Sequence, residues 1–276
     1  MTATSPPTSW TETAYDWLQR SNRKRALDEI PQNSTSAAWL FWRGKTGLTF
    51  LDAALRRPAA NSTTIVAIHG EIAKTWTIVS LAARFVVNTR ESQFPRNEDI
   101  EEEPTPAAGP PPQVIVLNGG LDVTFPKLAY AVRSCLLRQD AVDFEGDMQD
   151  CLRRIHIIPT TTQMLDWVPV LECIKYRLRQ TAGAPTVILW DGFLEEREDK
   201  PAEVIRQLLR LVDACPSLVL VTTRRRPAYW TKEWNRRITH RIQLQRKTDP
   251  GEGHPYVANV LGKLVPFSIT MSGILS

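Results

Sequence analysis

Five short apolar runs rich in β-branched residues recur through the middle of this chain, at 65–69, 114–117, 155–158, 187–190 and 218–221. Helical patterning separates them, at 74–87, 127–137, 164–179 and 202–212. The first four runs each lead into a helix. That order predicts an α/β fold in which a mostly parallel, twisted sheet is covered by helices on both faces. Right-handed crossovers then place the strand C-termini on one edge, where such sheets bind ligands. The tail is different. Arg241-Ile-Gln-Leu-Gln alternates polar and apolar residues, and 256–261 and 267–271 are further β-prone runs, which read as antiparallel strands at the C-terminal sheet edge.

Composition narrows the function classes. The chain has 276 residues, with 34 Lys+Arg against 30 Asp+Glu, and a formal charge of +4 excludes a histone-like polycation. Hydrophobic residues make up 42%, enough at this length to build a core without disulfides or metals. No apolar run approaches the ~18 residues of a membrane span, so no membrane association is expected. Cys135, Cys151, Cys173 and Cys215 form no Cys-x-x-Cys pair and read as free thiols of a reducing compartment. No His-Glu-x-x-His occurs, so no metal site is expected.

The chain divides into an N-terminal extension, 1–45, and a core, 46–276. In the extension, Ser9-Trp-Thr-Glu12 has capping-box spacing, and Trp10, Ala14, Trp17 and Leu18 follow as one apolar stripe. This short amphipathic helix is either a solvated face or a docking element for a partner chain, with Trp10 and Trp17 as anchors. Within the core, 91–113 is rich in acids and prolines and reads as a flexible loop.

The first strand runs into Gly70-Glu71-Ile72-Ala73-Lys74-Thr75, and a helix follows. A working phosphate loop is Gly-x-x-x-x-Gly-Lys-Ser/Thr: its N–H groups wrap a phosphate, its Lys bridges phosphates and its hydroxyl binds Mg²⁺. Here the Lys-Thr pair and the strand–loop–helix context are present. The loop is two residues short, Ala73 stands for the second Gly, and Glu71 places an acid where phosphate charge belongs. Losing two charge-assisted hydrogen bonds costs ~3–6 kcal/mol. A second acid, Asp191, ends the apolar strand Thr186-Val-Ile-Leu-Trp-Asp. It is either a Walker-B Mg²⁺ ligand or the cap of a turn.

Taken in order, these segments resemble the RecA-type recombinases. Thr46-Gly47-Leu-Thr-Phe-Leu51-Asp52-Ala-Ala-Leu55 is similar to that family's Thr-Gly-x-x-x-Leu-Asp-x-x-Leu lead-in to the phosphate-loop strand. Phe267-Ser-Ile-Thr-Met-Ser-Gly273-Ile is similar to its Phe-x-Ile-x-x-x-Gly-Ile/Val ending. The likeness covers roughly residues 46–276 and is greatest to the short, divergent eukaryotic paralogues. It implies a RecA-like core and a nuclear role in homologous-recombination DNA repair. It also implies a heteromeric complex whose partners are other paralogue subunits, the recombinase filament, and single-stranded or branched DNA. Three departures bear on ATP. Besides the short loop, Gly120 stands where active members carry a catalytic Glu, with Asp122 two residues late. Arg224 follows Thr222-Thr223, where they carry a γ-phosphate sensor. The resemblance therefore implies a vestigial nucleotide site at Gly70, Lys74, Thr75 and Asp191, with no hydrolysis and at most weak ATP and Mg²⁺ binding. The sole Phe-x-x-Ala, at Phe50, reads as core packing.

Residues 224–247 carry nine Lys and Arg against one acid, Glu233, a formal +8 that leaves −4 for the rest. Tyr229, Trp230 and Trp234 are interleaved. Cations neutralise phosphates and aromatic rings stack on unpaired bases; in the resembled family this region faces single-stranded DNA. The expected DNA contacts are Arg224, Arg225, Arg226, Trp230, Trp234, Arg236 and Arg237. A solvated basic surface and a dock for an acidic subunit stand as alternatives. Function thus divides between a non-catalytic recombination subunit, an ATP-dependent ATPase of the same fold, and a structural adaptor without DNA contact.

Overall fold

A computed structural model describes residues 46–55, 64–91, 111–159 except 121, 140 and 142, then 166–180, 186–194, 201–215, 217–224, 232–247, 254–270 and 273–275. The expected N-terminal helix and most of the acidic, proline-rich segment lie outside the described residues. Five strands form the parallel centre: β1 (Thr64–His69), β2 (Gln113–Asn118), β3 (Ile155–Pro159), β4 (Thr186–Asp191) and β5 (Leu218–Thr223). The tail adds β6 (His240–Arg246), β7 (Tyr256–Val260), β8 (Lys263–Thr270) and β9 (Gly273–Leu275). The order across the sheet is β3-β2-β4-β5-β1-β6-β7-β8-β9. The first tail strand, β6, pairs parallel to β1, and the antiparallel part begins with β7.

Strands β1, β2, β4 and β5 are buried on both faces, which is why they read as continuous apolar runs rather than alternating ones. One face is covered by α1 (Thr49–Leu55), α2 (Lys74–Glu91), α3 (Phe125–Arg138) and α4 (Phe144–Arg153). The other is covered by α5 (Trp167–Gln180), α6 (Pro201–Ala214) and α7 (Lys232–Arg237). Helix α2 is the centre of the first layer, with Ile78, Val79, Leu81, Ala82, Val86 and Val87 fully buried. Its buried Thr77 and Thr89 hydroxyls donate back to Ala73 O and Phe85 O at 2.8 and 2.7 Å, so burying them leaves no polar group unmet.

Helix α1 shows why the lead-in motif has its residue types. Asp52 Oδ1 accepts from both the N–H and the hydroxyl of Thr46, each at 2.6 Å, closing the turn before the helix. Gly47 has no room for a side chain, because Arg84 of α2 lies where its Cβ would be and donates to its carbonyl. Phe50 is fully buried, with its ring centroid 5.4 Å from that of Phe267 in β8, so it packs the core.

Candidate functional site

The turn from β1 to α2 has four residues, Gly70 to Ala73. Gly70 is held between β5 and β6: its N–H donates to Thr223 O of β5 at 3.0 Å, and a Cβ on it would sit 2.6 Å from Leu244 O of β6. Ala73, which stands for the second glycine of a phosphate loop, has φ +63°. A left-handed backbone costs an L-residue ~1–2 kcal/mol. The turn thus sets an alanine in a left-handed backbone that glycine would suit better. Ala73 O then accepts from Thr77 N at 2.8 Å, starting the helix.

Strand order places β5 between β4 and β1, and this brings the end of β4 under the start of α2. Asp191 is 2% exposed. Its Oδ1 accepts from Thr222 Oγ1 of β5 at 2.8 Å and its Oδ2 from Thr75 Oγ1 of α2 at 3.1 Å. Lys74 stands beside this pair, close enough for its charge to act on the carboxylate. Lys74, Thr75 and Asp191, which are 117 positions apart at the extremes of the sequence, therefore share one corner at the carboxyl edge of the sheet.

Burial pushes the Asp191 carboxyl above its ordinary value of 3.8. Donation from Thr222 and Thr75 and the charge of Lys74 pull it down, Asp122 pushes it further up, and burial outweighs the rest. A carboxyl raised by folding contributes stability that is whole below pH 3.8 and is lost as pH rises through the raised value. Keeping Asp191 ionised at neutral pH is thus a cost to the fold. Asp191→Asn retains the shape and an acceptor for Thr222. It is expected to raise the thermal midpoint at pH 7–8, with the gain vanishing below about pH 4. Thermal melts across that range check it, and a loss of stability at neutral pH contradicts it.

Strand β2 leads into Gly119-Gly120, and Gly120 N donates to Asp191 O at 3.1 Å. A Cβ at Gly120 would lie 3.5 Å from Asp191 Oδ2 and 3.7 Å from Asp122 Oδ2. The missing side chain would therefore project onto the Asp191 carboxylate. Asp122, two residues late in sequence, folds back so that its carboxylate lies over the space that Gly120 leaves. Sequence reasoning missed this placement. The Gly-Gly pair was the available signal, because a tight turn is what returns Asp122 to the edge.

These residues do not fit a triphosphate cradle. Two residues, Glu71 and Ile72, separate Gly70 from Ala73, where a phosphate loop has four. The Gly70 N–H is already bonded to Thr223 O, and Glu71 is exposed at the mouth of the turn. The Thr75 hydroxyl donates to Asp191, and both keep oxygen lone pairs, so the misfit lies in the turn and not in this pair. Among the described residues no group of three or more His, Cys, Asp or Glu is arranged to hold a metal.

The basic stretch divides. Arg224 is exposed directly after β5. Arg225, Arg226 and Trp230 lie outside the described residues, as do Trp10 and Trp17. Trp234 does not serve as expected: it is fully buried in the second layer, with its ring 5.1 Å from Phe193. The short helix α7 turns it inward, so its faces are not open to a base. Arg236 and Arg237 are exposed on the same helix, and Arg237 is ion-paired with Asp213 of α6. The connection after β5 is therefore not a long loop throughout, since its second half is helical.

No protein-family model and no curated protein sequence matches this chain. Among solved structures it is similar to one described as an ATPase domain, with a TM-score of 0.50 over 98% of this chain and 99% of that one. The two are 12% identical, so the likeness is one of fold. The architecture is RecA-like: a mostly parallel sheet between two helical layers, closed by antiparallel C-terminal strands.

Proposed function

We propose that this chain is a non-catalytic recombinase-paralogue subunit, similar to X-ray repair cross-complementing protein two and its fungal Shu-complex counterparts. In this reading it assists homologous-recombination DNA repair in the nucleus, binding single-stranded or branched DNA and partner paralogues. Residues 1–45 act as the partner-facing extension, with Trp10 and Trp17 as anchors, and 46–276 form the RecA-like core. The observation that carries the reading is the closed nucleotide corner. The turn from β1 to α2 is two residues too short to wrap a phosphate, and its Gly70 N–H is already bonded to Thr223 O. Gly120 adds that no carboxylate at the expected position can activate water. Base stacking falls to Trp230 and Tyr229, now that Trp234 is buried, and phosphate contact falls to Arg224, Arg225, Arg226 and Arg236. Arg237 contributes less, because Asp213 already neutralises it.

Two titrations test this. Equilibrium binding of ATP with Mg²⁺ should be weaker than ~100 μM and indifferent to Lys74→Ala. Binding tighter than ~10 μM that Lys74→Ala abolishes sinks the closed-corner argument. Binding to single-stranded DNA should weaken in Arg225→Ala/Arg226→Ala. The slope of log affinity against log salt should flatten by about 0.7 for each phosphate no longer neutralised. An unchanged slope points to an adaptor that does not touch DNA.

One observation favours a second reading, an ATPase of the same fold. The Asp122 carboxylate lies over Gly120, close to Asp191, where it can serve in place of the missing Glu. ATP turnover that Asp122→Asn lowers at least about tenfold, with ATP affinity unchanged, would establish it.

A further inference from the structure

Helix α3 buries Leu128, Ala131, Val132 and Leu136 against the first layer. At about 100° per residue, Pro126, Tyr130, Arg133 and Leu137 fall within roughly 60° of arc on the opposite side. All four are exposed. Tyr130 is 47% exposed and Leu137 59%, and Phe125, at the start of the helix, is 59% exposed. Only five large apolar side chains are exposed among the described residues, and three of them are on this one helix. Single exposed apolar residues need no explanation, but Tyr130 and Leu137 share one helix face with Phe125 at its start, which marks a candidate contact surface. Positions 126, 130, 133 and 137 have the i, i+4, i+7, i+11 spacing that makes one continuous helix face, the kind that packs against a second helix.

The charge of α3 selects the partner. It carries Lys127, Arg133 and Arg138 and no acid, in a chain with 30 acidic residues. The acids of the neighbouring α4 are accounted for by α4 itself. Asp143 caps it, accepting from Gly146 N at 3.1 Å. Glu145 and Asp147 lie in its first turn, where the helix dipole favours them, and Asp150 pairs with Arg153 at 3.6 Å. Arg133 lies within the apolar row, between Tyr130 and Leu137. A lipid surface would take up Tyr130 and Leu137 only with the Arg133 guanidinium, midway between them, drawn back to the headgroups. A nucleic acid would meet Arg133 but leave the apolar row against phosphate and water. An amphipathic helix of another chain satisfies both, with its apolar stripe against Tyr130 and Leu137 and a carboxylate beside that stripe opposite Arg133.

We propose that the exposed face of α3 docks an acidic amphipathic helix of another protein chain, with Tyr130 and Leu137 as anchors and Arg133 as the charged selector. Neither nucleotide nor DNA takes part in this contact, so it stands apart from the proposed function.

The test uses the full-length chain and a displayed library of random peptides of about 16 residues, long enough for four helical turns. Selection is run on the wild type, with counter-selection on Tyr130→Ser/Leu137→Ser. An unchanged thermal midpoint shows that this surface variant is folded. The expected winners are net acidic and carry Leu, Ile or Phe at i, i+4 or i, i+7 spacing. A representative peptide should lose at least about tenfold in affinity on Tyr130→Ser/Leu137→Ser and again on Arg133→Glu. A version with Lys for each acid should bind Arg133→Glu better than wild type, which a merely structural role for Arg133 does not predict. Several results overturn the proposal. These are no binder on this face, winners that are basic or uncharged, or winners that bind the counter-selected variant equally. Sedimentation of the wild type but not the variant with phosphatidylcholine–phosphatidylserine vesicles would instead make it a membrane face. A concentration-dependent dimer that the variant fails to form would make a second copy the occupant. Protection of residues 1–45 from trypsin in the wild type but not in the variant would make it the chain's own extension.

Discussion

Trp234→Ala should destabilise the fold by about 3–5 kcal/mol, the cost of emptying a fully buried tryptophan site. In a chain of this size that is a fall of roughly 6–20 °C in the thermal midpoint. The size of the effect follows from where the ring sits. Trp234 has no exposure, its ring is 5.1 Å from Phe193, and Phe193 in turn stands edge-on to Trp190 at 4.7 Å, with Trp167 4.5 Å beyond. Four aromatic residues from α5, β4, the turn after β4 and α7 thus form one contiguous stack under the carboxyl edge. Removing its end loses packing for the whole row, and α7, only six residues long, has little else to hold it. Trp234→Phe should recover more than half of the loss. The pair separates packing from recognition. Measured well below both midpoints, Trp234→Phe should bind single-stranded DNA as wild type does, whereas Trp230→Ala should bind it more weakly. If Trp234→Phe keeps its midpoint and loses DNA affinity, the buried placement of this ring is wrong.

Trp234 also shows what the sequence could not convey. Between Arg224 and Arg237 every cue is polar or cationic, and an aromatic residue among arginines reads as a stacking ring. Its burial comes from the crossover of α7 over β1, with Ile238 beside it, and no local pattern reports that. The central strands were legible for the opposite reason. They are buried on both faces, so their residue types carry the whole signal. The structure extends them by residues whose polarity hid them, Thr64, Gln113, Asn118 and the Thr222-Thr223 pair, all buried. Helix α4 was invisible, because Phe144-Glu-Gly-Asp-Met-Gln-Asp-Cys-Leu-Arg has few apolar residues and a glycine. Its N-cap, Asp143, is its best signal. At the corner, Lys74, Thr75 and Asp191 were legible as types in a strand–turn–helix and strand–acid context. The return of Asp122 over Gly120 depends on a turn geometry that spacing alone does not fix.

The two motifs that carried the family resemblance converge on one helix, and the second large effect is expected there. Ser80 and Arg84 lie one turn apart on α2. Arg84 donates to Gly47 O in the lead-in and, at 2.9 Å, to Ile274 O in the ending. Ser80 Oγ accepts from Ile274 N at 2.9 Å. Arg84 thus ties the segment at 46–52 to that at 273–275, Ser80 adds a second hold on the latter, and each segment has a glycine with positive φ at the contact. A Cβ on Gly273 would collide with Ser80 Oγ, and its φ of +116° is one that side chains resist. Gly273→Ala should therefore cost about 2–6 kcal/mol, from ~1–3 for the backbone strain and ~1–3 for the displaced Ser80 bond. Ser80→Ala alone should cost about 1 kcal/mol. In the double variant the colliding hydroxyl is gone and the next nearest atom, Ser80 Cβ, is 3.4 Å away. The double variant should consequently be no less stable than Gly273→Ala alone, because the same bond is lost only once, with a coupling of about 1–2 kcal/mol in a denaturant cycle. Strict additivity would mean that the C-terminal strand is not seated on α2, and the shared anchoring of the two motifs would fall with it.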